Sequence, residues 1–216
     1  MTTQSFADVE FVVRSIAQTC LDNEKAFGDL DAVVGDGDFG YSLARGFEVV
    51  VKDWDGYDRS DIGTFLQKIA MAITGRIGGT SGPIWGTAFL RAATVAKGRD
   101  EVTGADVVAM LRSAVEGIKA RGNADVGDKT LLDALVPMTD TIEASLGAGK
   151  DGATVVADAA VTAREAADAT VSMLAKRGRA AYSGERSIGS VDAGATAVAV
   201  ILERLAADWP GRPSAT

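Results

Sequence analysis

SFADVEFVVRSIAQTCLDNEKAF (5–27) sets Val9, Val12, Val13, Ile16, Ala17, Cys20 and Leu21 at i, i+3, i+4, i+7 spacing. That period belongs to an α-helix with one apolar face. Similar runs recur at about 41–53, 61–75, 83–97, 104–121, 129–146, 154–177 and 192–208. No segment sustains the alternation of a half-buried strand. The reading is therefore an all-α chain of eight helices and no strand. Asp61 and Thr103 stand where N-caps belong, and Thr103-x-x-Asp106 has the pattern of a capping box. Residues 153–175 are rich in alanine, which favours helix and lets neighbouring helices approach closely. One domain over 1–208 is expected, with residues 209–216 as a frayed tail.

The connections divide into two kinds. VVGDGDFG (33–40), GRIGGTSGP (75–83), RGNADVGDKT (121–130) and GRAAYSGERSIGSVDAGAT (178–196) are rich in glycine. With Gly86, they hold 14 of the 25 glycines. The other three, around DWDGYDRS, KGRDEVT and GAGKDG, are charged and ordinary. In an antiparallel arrangement, alternate connections emerge at one end. The glycine-rich segments would then share one rim, each feeding the start of a helix. Helix N-termini present free N–H groups and partial positive charge, which suit an anion.

Composition removes several chemistries. The chain has 216 residues, no histidine, one cysteine and a formal net charge of −8. Without histidine there is no Ser-His-Asp triad, no imidazole base and no HExxH metal site. One cysteine permits no intrachain disulfide and no cysteine-rich zinc site. A metal here must take oxygen ligands, which favours Mg²⁺, Ca²⁺ or Mn²⁺. The acidic balance argues against nucleic acid as a partner. No stretch is long and apolar enough to span a membrane, and the N-terminus lacks a signal-peptide pattern. The expectation is a soluble, cytoplasmic protein.

Asp31, Asp36 and Asp38 form D-x4-D-x-D. Three carboxylates this close repel unless cations intervene. The spacing does not match an EF-hand and suits octahedral Mg²⁺ completed by phosphate oxygens. A nucleoside diphosphate adds about −3 to the carboxylates' charge, so two Mg²⁺ balance the site better than one. Arg76, Lys129, Arg179 and Arg186 are candidates for the remaining charge. Trp85 either lines the site or packs in the core.

Four ordered segments carry a resemblance: GDGDFGYSLARGF (35–47), GGTSGPIWGTAF (78–89), GDKTLLDAL (127–135) and GRAAYSGERSIGSVDAGAT (178–196). Together they resemble the nucleotide-binding L subunit of dihydroxyacetone kinases. The resemblance implies an antiparallel eight-helix barrel with a nucleotide, ADP or ATP, at one end. It implies that Asp31, Asp36 and Asp38 bind two Mg²⁺. It also implies nucleotide contacts from Phe39, Gly40, Tyr41, Ser42, Thr80, Ser81, Gly122, Leu131, Arg179, Asp192, Ala193 and Gly194. Phe39 stands where the family usually has histidine, and Asp192-Ala193-Gly194 replaces Asp-Pro-Gly.

In such kinases a separate K subunit holds the ketose. The expected function is phosphoryl donation from a Mg-bound adenine nucleotide to dihydroxyacetone or a related short ketose. No general base is assigned to this chain. The donor is either ATP directly, or bound ADP rephosphorylated by a phosphotransferase-system M subunit. A homodimer is left open. A metal-dependent phosphohydrolase and an ADP-responsive regulatory module are the alternatives.

Overall fold

The apolar stripe of residues 5–27 folds as helix, but not as a single one. Asn23 interrupts it: its side-chain Nδ2 and its backbone N–H both donate to Thr19 O, at 2.8 and 3.1 Å. A short amide that bonds its own backbone competes with the helical ladder. In a computed structural model describing residues 3–212, the first helix is thus α1 (Phe6–Asp22) followed by α2 (Glu24–Ala32). The others are α3 (Phe39–Lys52), α4 (Ile62–Arg76), α5 (Ser81–Val95), α6 (Gly104–Gly122), α7 (Leu132–Gly147), α8 (Gly152–Ala169) and α9 (Ala193–Asp208). The expected helix over 154–177 ends early. Residues Thr170–Ser172 turn as 3₁₀, and a longer 3₁₀ segment covers Arg179–Ser187.

The all-α reading holds. Its corollary of no strand does not: Thr3–Ser5 (β1) pairs antiparallel with Glu101–Thr103 (β2), in the register Gln4 to Val102. Three residues are too few to give a periodic signal. The frayed tail is also corrected over its first residues. Trp209 is buried, residues Trp209–Gly211 form a 3₁₀ turn, and Arg212 Nε pairs with Asp8 at 3.1 Å. Residues 213–216 of that tail lie outside the described residues.

Each long helix packs on the next in chain order, and α9 returns against α1. Alanines 159, 160, 163 and 167 of α8 are buried, as their helix-forming and small character requires. The interior keeps an apolar cavity of about 330 Å³, lined by residues such as Val12, Phe89, Leu111, Met138 and Leu202. Trp85 is core, edge-on to Phe47 at 6.5 Å. No helix among the described residues is long and apolar enough to cross a membrane.

The two ends of the bundle differ. At one end, β1 and β2 tie together the starts of α1 and α6. There Arg59 Nε meets Glu10 at 2.7 Å, and Ile62 N donates to Arg99 O at 2.8 Å. The glycine-rich connections gather at the other.

Candidate functional site

Asp31 lies on the last turn of α2, not in the loop that follows. The chain doubles back at once, with Gly35 N donating to Asp31 O at 2.6 Å. Gly37 takes a left-handed φ of 77°, which brings Asp36 and Asp38 beside Asp31. Carboxylate oxygens of all three lie within 4.8 Å of one another. An all-oxygen donor set of this size fits a small, hard divalent cation. Arg179 reaches the cluster from the far connection, pairing with Asp36 and standing 3.8 Å from Asp38.

Other contacts join the rim. Ser183 Oγ donates to Val34 O at 3.0 Å, linking the first and fourth glycine-rich segments. Lys176 N, two residues before the fourth segment, donates to Asp128 O of the third at 3.0 Å. Ile84 of α5 and Leu132 of α7 share a small apolar cluster, against which Leu131 packs.

Helix capping separates the two ends more sharply than the glycines do. At the plain end, every start is capped by a side chain: Ser5 with Asp8 on α1, Asp61 on α4, Thr103 with Asp106 on α6, and Asp151 on α8. At the rim, the N-cap residues of α3, α5 and α7 (Asp38, Thr80 and Leu131) make no side-chain cap bond. Phe39 N reaches Asp31 Oδ2 only at 3.4 Å, and Leu132 N donates to Thr130 Oγ1 at 3.2 Å. Only α9 has its own cap, Asp192, which accepts from Ala195 N at 2.7 Å. First-turn N–H groups without side-chain caps, beside carboxylates that could hold a cation, can bind a polyanion.

Residues 33–207 match the family model of the DAK2 domain. The chain belongs to the DAK2 domain family. This DAK2-domain chain is 38% identical over 177 residues to the PEP-dependent dihydroxyacetone kinase, ADP-binding subunit DhaL, of Escherichia coli, covering 82% of the chain and 84% of that protein. It is 36% identical over 199 residues to an L-erythrulose 1-kinase of Mycolicibacterium smegmatis, covering 90% of the chain but 34% of that protein. Among solved structures, the C. freundii dihydroxyacetone kinase in complex with AMP-PNP and Mg²⁺ is similar at a TM-score of 0.75 and 26% identity, covering 96% of this chain and 35% of that one. The DAK2-domain chain thus spans most of one kind of relative and about a third of the other.

The remaining predicted site residues fall into groups. Thr80 is exposed and Ser81 half-exposed at the open start of α5; Gly122 closes α6, and Ala193 and Gly194 open α9. Phe39 turns its ring inward, 6.1 Å from Phe27, so its N–H and not its side chain faces the carboxylates. Ser42 N donates to Asp38 O within the first turn of α3. Tyr41 lines an outer groove between α2 and α3, under the Arg45 guanidinium at 5.1 Å. Of the candidate cations, Arg186 Nε donates to Ser183 O at 3.4 Å. Lys129 is buried and bonded to carbonyls, so its ammonium does not face the rim.

Sequence reasoning missed Asp133, whose buried carboxylate accepts from Gly127 N at 2.5 Å and Thr130 N at 2.7 Å and so holds the third connection. The pattern Thr130-x-x-Asp133, the same as at Thr103, was the available signal.

Burial pushes the Asp192 carboxyl up to about 7; the Ala195 N–H and Lys129 oppose the shift, and the charge of Asp133 adds to it. An unfolded aspartate titrates near about 3.9. Between these values the folded chain keeps a proton that the unfolded chain has released. Stability from this position is therefore present at low pH and is lost as pH rises through about 7. Asp192→Asn keeps a capping side chain without the titration. Urea unfolding should find the parent gaining stability relative to Asp192→Asn between about pH 8 and about pH 5. An unchanged difference across that range would refute the shift.

Proposed function

We propose that this chain is the nucleotide-binding, phosphoryl-donating component of a kinase for dihydroxyacetone or a related short ketose. The observation that carries the reading is the Asp31, Asp36 and Asp38 cluster set beside helix starts left without side-chain caps. The names of the relatives, an ADP-binding subunit and ketose kinases, support the same choice.

In this reading Asp31, Asp36 and Asp38 would hold two Mg²⁺, which would supply positive charge against the nucleotide phosphates. Phe39, Gly40 and Tyr41 at the start of α3, with Thr80 and Ser81 at the start of α5, offer N–H groups, and Ser42 its hydroxyl, to the phosphates of ADP or ATP. Arg179 adds a guanidinium to the charge that builds on the transferring group. Gly122, Leu131 and Asp192–Gly194 border the nucleoside. The chain supplies charge and alignment, which account for most of the rate in phosphoryl transfer. It offers no imidazole to take the acceptor's proton. That task, and the hold on the ketose, falls to a K subunit docked on the rim.

The test mixes the chain with a K subunit, a panel of short ketoses and either ATP or a complete phosphotransferase relay including the M subunit. Phosphorylated ketose in one mixture identifies the donor. No product in either mixture overturns the reading. Phosphate release by the isolated chain would instead indicate a phosphohydrolase, and ADP-dependent capture of a partner without turnover a regulatory module. Calorimetry should find ADP binding dependent on Mg²⁺.

A further inference from the structure

Lys129 is a rim lysine that does not face the rim. Its backbone is left-handed, at φ 60°, a conformation that residues bearing a side chain rarely adopt. That turn sends the side chain inward, where the residue is 2% exposed. An ammonium has three donors and no acceptor. Here all three find backbone carbonyls: Met173 O at 3.1 Å, Ser190 O at 2.7 Å, and Ser187 O. A buried charge needs such partners to persist.

The three carbonyls lie at the two feet of one excursion of the chain. Met173 enters it, and Ser187 and Ser190 leave it. The feet are tied again by Ala175 N donating to Ser187 Oγ at 3.0 Å and Gly189 N donating to Val171 O at 2.8 Å. The tip carries Arg179 and runs between Gly178 (φ 64°) and Gly184 (φ 56°), neither of which has a neighbour where a Cβ would stand. Toward the first connection, the tip has Ser183 Oγ on Val34 O and the Arg179 contacts with Asp36 and Asp38. The feet are bound more heavily than the tip, so they fix where the guanidinium can reach.

We infer that Lys129 is a positioning residue: by closing the base of this excursion it sets the place of the Arg179 guanidinium over the Asp31, Asp36 and Asp38 cluster. The consequence for ligand binding rests on the reading of that cluster as a Mg-nucleotide site; the clamp itself does not.

The experiment compares Lys129→Met, Arg179→Ala and the double variant in the full chain. One readout is Mg-ADP affinity by calorimetry, and the other is the rate of trypsin cleavage after Arg177 and Arg186. Each single variant should weaken Mg-ADP by about tenfold, and the double by little more than the worse single, because both remove the same contact. Trypsin should cut Lys129→Met several-fold faster at unchanged helix content. Ser187→Ala loosens the same feet without removing a charge and should show the same coupling to Arg179→Ala at smaller size. It decides the matter if Lys129→Met does not fold. Losses that multiply in the double variant, or unchanged affinity and cleavage, overturn the positioning role. If the parent chain binds no Mg-ADP, the nucleotide reading fails, and the trypsin rates alone uphold or overturn the clamp.

Discussion

Asp36→Ala is expected to lose Mg²⁺-dependent ADP affinity by at least about a hundredfold, since removing even an outer partner of a metal site costs 10–100-fold. Ketose phosphorylation in the reconstituted mixture should fall with it. Stability should not. The Asp36 side chain is 40% exposed; Asp31 and Asp38 repel it, and its ion pair with the exposed Arg179 is a surface pair of small worth. Surface changes of this kind stay within about 0.5 kcal/mol, and relief of repulsion can turn the sign. The signature is thus a lost binding isotherm with an unchanged melting temperature. Asp31→Ala should behave differently. Asp31 is half-buried on α2 and accepts from Phe39 N, so its loss also loosens the start of α3. An Asp36→Ala chain that binds Mg-ADP like its parent would remove the carboxylates from the site.

Much of this arrangement is legible in the residues. The helix stripes mark the elements within a few positions, because a buried face of 3.6-residue period is a strong signal over ten or more residues. Asp61 and Thr103 cap where their side chains allow. The alternation of rich and plain connections predicts a shared rim; Ser183 on Val34 joins two of those segments, and Lys176, just before the fourth, bonds Asp128 of the third.

What escapes has two causes: the partner is backbone, or it lies far away in sequence. Asn23 breaks a helix by bonding Thr19 O, and β1 pairs with β2 through three residues each. Lys129 is satisfied by carbonyls that have no residue-specific mark. A lysine in a glycine-rich segment reads as a phosphate ligand because exposed lysines are the rule; its left-handed backbone is invisible in the sequence. Arg212 and Trp209 show the second cause: a proline and a glycine suggest fraying, while the seat is provided by Asp8 and the α8 start, both distant in sequence.

Gly40→Ala is the substitution expected to damage the fold most, and the reason is steric. A Cβ there would fall on the carbonyl oxygen of Glu24 and within 2.6 Å of Gly28 N. Both atoms are backbone of α2, so no side chain can rotate away. The helices α2 and α3 must separate, and overpacking of this kind costs about 3 kcal/mol or more where the neighbours are rigid. Alanine's better helix propensity returns only about 1 kcal/mol. A net loss of about 2–3 kcal/mol in a chain of this size lowers the melting temperature by roughly 4–12 °C. Gly75→Ala is the control: it lies exposed in α4 with nothing within 4 Å of its Cβ position, and should leave stability unchanged or raise it by up to about 1 kcal/mol. Because α2 carries Asp31 and the start of α3 follows Asp38, the same displacement opens the carboxylate cluster. Gly40→Ala should therefore weaken Mg-ADP binding although it adds no charge and removes no ligand, whereas Gly75→Ala should not. Equal melting temperatures for the two variants would mean that α2 and α3 are not in backbone contact and that their crossing does not hold Asp31 in the cluster.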